Sequence, residues 1–288
     1  MIPLLLSILS SSLLMVIFKY FQKFNVHTFQ AITVNYVVAA TLGFLISPTV
    51  LHPQEIIVRP WALSAFILGC SFIGVFFLMA VSSQKMGVAV TSVANKMSLV
   101  IPVAAGFILY SESMTGLKMA GILLAILAVT LVTVRKAEGV AVDKKYIVLP
   151  FLIFLGSGFL DTFLNFVQKA QLGQGEVEIF SASLFVIAAI IGVMITLSNS
   201  LFKGVAFQPK SIVAGIALGI PNYFSIHFLL IALNLPNLES TAVFPINNTA
   251  TVLLSTLLAI LLFSERLSKL NWIGISLAVV SIALIAIA

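Results

Sequence analysis

The sequence predicts an all-α integral membrane protein of ten transmembrane helices, built as two inverted five-helix repeats. Three observations predict it. Of the 288 residues 61% are hydrophobic and only 8% charged, the apolar residues fall into ten continuous runs, and the two halves share a motif at a constant offset. A chain of this size with so few charges has too little polar surface to cover a water-soluble globule, so lipid must be its solvent. In lipid only helices and closed barrels satisfy every backbone group. Runs that are continuous, rather than alternating with period two, exclude the barrel.

Each run approaches the roughly 20 apolar residues that a helix needs to cross the hydrocarbon. The first, 2–18, has the length of a signal peptide but neither a basic leading region nor an A-x-A-like cleavage site, so it reads as a span. The second and third, 31–46 and 61–82, are separated by Ser47-Pro48, His52-Pro53 and Arg59-Pro60, a connection rich in turn formers. The fourth and fifth are 88–110 and 117–134. Glu138-Gly139 and Asp143-Lys144-Lys145 then lead to the sixth, 146–167. The seventh is 179–197, and Gln208-Pro209-Lys210 precedes the eighth, 212–233. The ninth and tenth are 241–263 and 270–288. No connection exceeds about fifteen residues, far below the size of a soluble domain, so the function is placed inside the membrane.

The net charge of +6 comes from bases scattered singly between apolar runs, the pattern of membrane loops and not of a nucleic-acid partner. Ten spans leave both termini on one side. Lys19, Lys23, Lys85, Arg135, Lys136, Lys144, Lys145, Lys203, Lys210, Arg266 and Lys269 lie on the other, against Arg59, Lys118 and Lys169 on the side of the termini. By the positive-inside rule the richer face is cytoplasmic and the termini are outside. The single cysteine, Cys70, allows no intrachain disulfide and reads as a small buried hydrophobe.

Ser111-Glu112, Thr115 and Gly121 recur 153 residues on as Ser264-Glu265, Ser268 and Gly274. More weakly, Phe18 to Lys23 with its Gln22-Lys23 matches the Gln168-Lys169 end of span 6. The halves are therefore 1–137 and 146–288. An odd number of spans per copy forces the second copy upside down. Secondary transporters use this arrangement, because opposed copies can exchange outward-open and inward-open states around a central site.

The Ser-Glu stretch at the 4/5 and 9/10 junctions, with ten spans in 288 residues, resembles the EamA-like branch of the drug/metabolite transporter superfamily. The resemblance covers essentially the whole chain and is specific for fold rather than substrate. It implies a bacterial inner-membrane carrier of a small organic metabolite, such as an amino acid or an amphiphilic drug-like compound. It also implies cytoplasmic termini, against the charge count. A monomer or homodimer is expected, with no cofactor.

Polar residues within spans are expensive and need partners or water. In span 4, Asn95 and Lys96 lie with Ser92 one turn earlier; Lys96 is either a solute ligand or a lysine that snorkels to the interface. In span 6, Asp161, Asn165 and Gln168 share a helix face. Asp161 is the natural counter-charge to Lys96, and the proton carrier if transport is proton-coupled; the other reading is a fixed ion pair. In span 8, Pro221 interrupts the helix beside Asn222, Tyr223 and His227, while Gly215 and Gly219 allow close helix packing. In span 9, Pro245, Asn247, Asn248 and Thr249 occupy the repeat positions of span 4, so the two sets should converge on the pseudo-twofold axis; the bland reading is an amide clamp between helices. Ser11, Ser12 and Lys19 in span 1 and Asn35 and Tyr36 in span 2 repeat the theme, with Lys19 near enough to a helix end to snorkel. Glu112 and Glu265 read as caps on the first turn of the following helix.

The expected solute site is thus Asn95, Lys96, Asn222, Tyr223, His227, Asn247 and Asn248, with Asp161 and Asn165 balancing charge. No phosphate loop, H-E-x-x-H or G-x-S-x-G occurs, and His27, His52 and His227 are far apart, so no catalytic or metal residue is expected. The alternative to a carrier is a lipid-handling protein or enzyme acting on a headgroup in the membrane.

Overall fold

The computed structural model describes residues 2–46, 53–110, 115–133, 146–173, 176–233 and 240–287. All regular elements among them are helical: α1 (Ile2–Lys23), α2 (Thr28–Ile46), α3 (Pro53–Ile57), α4 (Ala62–Lys85), α5 (Val88–Met97), α6 (Val100–Tyr110), α7 (Gly116–Thr133), α8 (Val148–Ala170), α9 (Val177–Lys203), α10 (Lys210–Leu233), α11 (Ser240–Phe263) and α12 (Lys269–Ala286). Eight spans are long and apolar enough to cross a membrane, with α5 and the start of α6 together forming one, and α7 and α12 are shorter apolar helices. Large side chains face outward all round the bundle, among them Leu45 at 76%, Leu201 at 78% and Phe202 at 84% exposure. Water would not tolerate such a surface, whereas lipid does. The chain is a multi-pass membrane protein.

The first-half copy of the Ser-Glu motif, with Glu112, lies outside the described residues. So do Ser47-Pro48, His52, Arg135, Lys136, Glu138-Gly139, Asp143, Lys144 and Lys145, and the side chains of Gln168, Lys169 and Pro245.

The helices outrun the apolar runs at their polar ends: α1 continues through Tyr20 to Lys23, and α9 through Asn199 to Lys203. Long side chains there stay helical while their heads reach the interface. Two helices differ from expectation in continuity. The fourth span divides into α5 and α6 at Ser98-Leu99, whereas α10 runs unbroken through Pro221. The predicted interruption of span 8 is therefore corrected, and the break belongs to span 4.

Packing follows an exchange of partners. α1 packs on α10 and α11, and α8 packs on α4, α5 and α6. α2 packs on α9 and α10, and α9 on α2 and α4, while α5 meets α11 and α7 meets α12. The exchange is partial: α1 on α10 answers α8 on α4, and α2 on α10 answers α9 on α4, whereas the α1–α4 contact has no comparable α8–α10 counterpart among the described residues. Gly215 and Gly219 make the intramolecular contact that their spacing predicts: a Cβ on Gly219 would lie 2.8 Å from the Asn35 carbonyl oxygen, so α2 and α10 touch through backbone. The larger core gathers Phe18, Tyr36, Phe76 and Phe185 from four helices, with Phe18 and Phe76 edge to face at 5.6 Å. A second core joins α5, α7, α11 and α12.

Candidate functional site

The break in span 4 has a local cause. Pro102 has no N–H, so the Ser98 carbonyl loses its partner one turn on and instead accepts from Ile101 N–H at 2.9 Å, a tighter turn. The Ser98 side chain is thereby turned back on its own helix and across to α8. Its hydroxyl lies 2.6 Å from the Asn95 carbonyl oxygen and 3.3 Å from Asp161 Oδ2. A second link runs beside it, from the Ser157 hydroxyl to Asn95 Oδ1 at 2.9 Å. Lys96, half-buried at the end of α5, acts electrostatically on Asp161. They do not touch: among the described residues the ion pairs within 4.0 Å are Lys19–Glu265 and Arg59–Glu176.

Asp161 and Asn165 are exposed, although they lie on the side of α8 that faces the bundle. Gly158, on that side, sits against Ile101 of α6. Leu155, Phe159 and Phe166 form the opposite, lipid-facing stripe. α6 packs on α8 beside this face, and its residues 101–105 are all half-buried.

α5 also packs against α11. Ser255 donates to the Ser92 hydroxyl at 2.6 Å. Asn95, Lys96 and Ser98 follow that contact along the first chain segment, and Asn247, Asn248 and Thr251 precede it along the second. Asn247 and Asn248 are buried, and the Ser7 hydroxyl of α1 lies 3.2 Å from Asn247 Oδ1 and 2.8 Å from the Ser225 carbonyl oxygen of α10. Thr251 Oγ1 and Asn222 Nδ2 are buried with no hydrogen-bond partner among the described residues. Buried polar atoms of this kind are uncommon and point to a polar interior.

Tyr223 and His227 form a separate group. α10 turns Leu229 and Ala232 towards Leu4 and Ile8 of α1, and its other side towards α2. On that other side Tyr223 approaches Gly43, close to Ala182, and stacks on His227 with ring centroids 5.6 Å apart. The structure thus brings Asn95, Lys96 and Asp161 together, links Asn247 to α1 and α10, and sets the Tyr223–His227 pair on a different helix face. Ser98, Ser157 and Ser7 escaped the sequence reading. Pro102, four residues after Ser98, and Ser157, one turn before Asp161, carried a legible signal; Ser7 carried none.

The two ends of the bundle are tied differently. At the end of the 1/2, 3/4 and 9/10 junctions, Glu265 Oε1 accepts from the backbone N–H of Val88 at 2.9 Å, and Lys19 Nζ lies 3.8 Å from it while donating to the Gln84 carbonyl at 3.1 Å. Glu265 was expected to cap α12. That helix is capped by Ser268 and Asn271 in a reciprocal capping box, which leaves the carboxylate free to reach α5 instead. At the opposite end Glu176 accepts from Arg59 at 2.8 Å, Trp61 Nε1 at 3.2 Å and Gly173 N–H at 2.8 Å. No group of three or more His, Cys, Asp or Glu side chains comes together among the described residues.

Residues 1–134 match the model of the EamA-like transporter family. The chain is 30% identical over 277 residues to an uncharacterised protein of Haemophilus influenzae, an alignment covering 94% of this chain and 93% of that one. A solved crystal structure of a protein 18% identical in sequence superposes with a TM-score of 0.60, covering 98% of this chain and 94% of that one, and so shares its fold.

Proposed function

The chain belongs to the EamA-like transporter family, and from that premise we propose that it is a secondary carrier of a small organic solute. It works by alternating access between two inverted halves, 1–137 and 146–288, in the bacterial inner membrane. The exchange of helix contacts supports the repeat, because a pseudo-twofold axis between α5 and α11 would relate α1 on α10 to α8 on α4 and α2 on α10 to α9 on α4. One observation carries the carrier reading: the fourth span is broken beside Lys96, with an exposed carboxylate, Asp161, on the facing helix. Non-helical backbone at membrane depth is tolerated only where it lines a polar interior or is buried in protein. Separated charges of opposite sign, flanked by Asn95, Ser98 and Ser157, suit a solute that bears both a carboxylate and an ammonium group, such as an amino acid. Asn247, Asn248 and Asn222 complete the neutral wall, and Asn165 continues the polar face one turn along α8 from Asp161. The Tyr223–His227 pair offers an aromatic surface to an amphiphilic solute.

Proteoliposomes loaded with unlabelled amino acids test the reading. Labelled amino acid should exchange across the membrane chemically unchanged, and Lys96→Ala should abolish exchange while leaving folded protein in the membrane. A modified product, or full exchange by Lys96→Ala, overturns it.

A further inference from the structure

We infer that Glu265 is a positioning residue: it holds α5, and through α5 the Lys96 site, by latching the bundle at the end of the 1/2, 3/4 and 9/10 junctions. Its effect on transport rests on the carrier reading above; the latch itself does not.

The carboxylate is only 7% exposed, although it comes from the short connection between α11 and α12. Its partner, the Val88 N–H, begins α5 and lies 177 positions away in the chain. That N–H is one of the donors that a helix start leaves unpaired, and the helix dipole adds its positive end. Two backbone features permit the approach. Ser264 adopts φ +50, in the left-handed region, immediately before Glu265. Gly87 has φ +103, and a Cβ there would lie 2.8 and 3.0 Å from the two carboxylate oxygens. Any side chain at position 87 would therefore push the carboxylate away from α5. Lys19 brings α1 into the same knot and, through the Gln84 carbonyl, α4 as well.

α5 is ten residues long, about 15 Å. Glu265 grips its first turn, and its last turn carries Asn95 and Lys96 just before the break at Ser98. A short rod held at one end and interrupted at the other moves as a unit. Residues 88–94 beneath the grip are all buried, so this end of the bundle is closed while the latch is made. When the carboxylate leaves, the start of α5 loses its acceptor and its counter-charge together, and Ala89, 1% exposed in the latched state, becomes reachable.

The test uses full-length protein carrying Cys70→Ser and Ala89→Cys, labelled in membrane vesicles of both orientations with a membrane-impermeant maleimide. Glu265→Gln should raise the labelling rate about tenfold from the side of the 9/10 junction, the scale on which losing one charge-assisted hydrogen bond shifts an opening equilibrium. Labelling from the other side should not change. Gly87→Ala should reproduce the increase, and Glu265→Asp should reverse part of it. An unchanged rate in both Glu265→Gln and Gly87→Ala overturns the latch. Increased labelling in a protein that exchanges no solute leaves the latch standing and removes the carrier reading instead.

Discussion

Removing Lys96 and Asp161 one at a time and then together separates what the two charges do for folding from what they do for transport. Each single substitution, Lys96→Met or Asp161→Asn, leaves the other charge in the interior without its counterpart. The groups are further apart than 4.0 Å. At that distance and an effective dielectric constant near 20 their attraction is about 4 kcal/mol, which is therefore its upper bound. A shift of about 2–4 °C in melting temperature per kcal/mol places each single variant up to roughly 8–16 °C below the parent. The double variant loses both the attraction and the desolvation of two charges, so it should melt within a few degrees of the parent. Transport, present in the parent, should be lost in all three. Melting of the detergent-purified proteins, followed by intrinsic fluorescence, gives the cycle directly. Equal and additive losses in the singles and the double would refute the coupling, and restored transport in the double would refute a role for the charges in the site.

Three further outcomes are expected. Pro102→Ala restores a donor for the Ser98 carbonyl and lets α5 and α6 join, so melting should hold or rise while solute exchange falls at least about fivefold; exchange at the parental rate would show that the break is dispensable. Gly219→Ala inserts a methyl group 2.8 Å from the Asn35 carbonyl and should lower stability by about 1–3 kcal/mol, seen as an earlier melting transition. Ser268→Ala removes half of the α12 capping box and should cost about 1 kcal/mol in the same assay without altering exchange.

The membrane fold was legible because lipid imposes a single rule, an apolar run as long as the hydrocarbon is thick, and eight helical spans meet that rule, with two shorter apolar helices at the fifth and tenth runs. Spacing along a helix also placed Asp161 and Asn165 on one face. Direction around the axis was not legible. Nothing in the local sequence distinguishes Asn222, which shares the buried interior with Ser225, from Tyr223, one residue on and turned towards α2. The two prolines were misweighed for a related reason. Pro221 is accommodated with the helix intact, whereas Pro102 has Ser98 four residues before it, whose hydroxyl finds acceptors at Asn95 and Asp161 that make the broken form worth keeping. Such compensation depends on a helix some sixty positions away. Glu265 deceived for the opposite reason: a local capping partner was the simplest reading, but Asn271 already filled that place.

The crossing of α5 and α11 has a consequence for directionality. At the 153-residue offset Asn95 corresponds to Asn248 and Ser98 to Thr251, but Lys96 corresponds to Thr249. If both halves were chemically identical, a solute at the centre would be held with equal strength whichever side it had entered from. On the carrier reading proposed above, one cation on one half breaks that parity, so a charged cargo would be bound unequally in the two states, and the imbalance would set which way a gradient is most easily relieved.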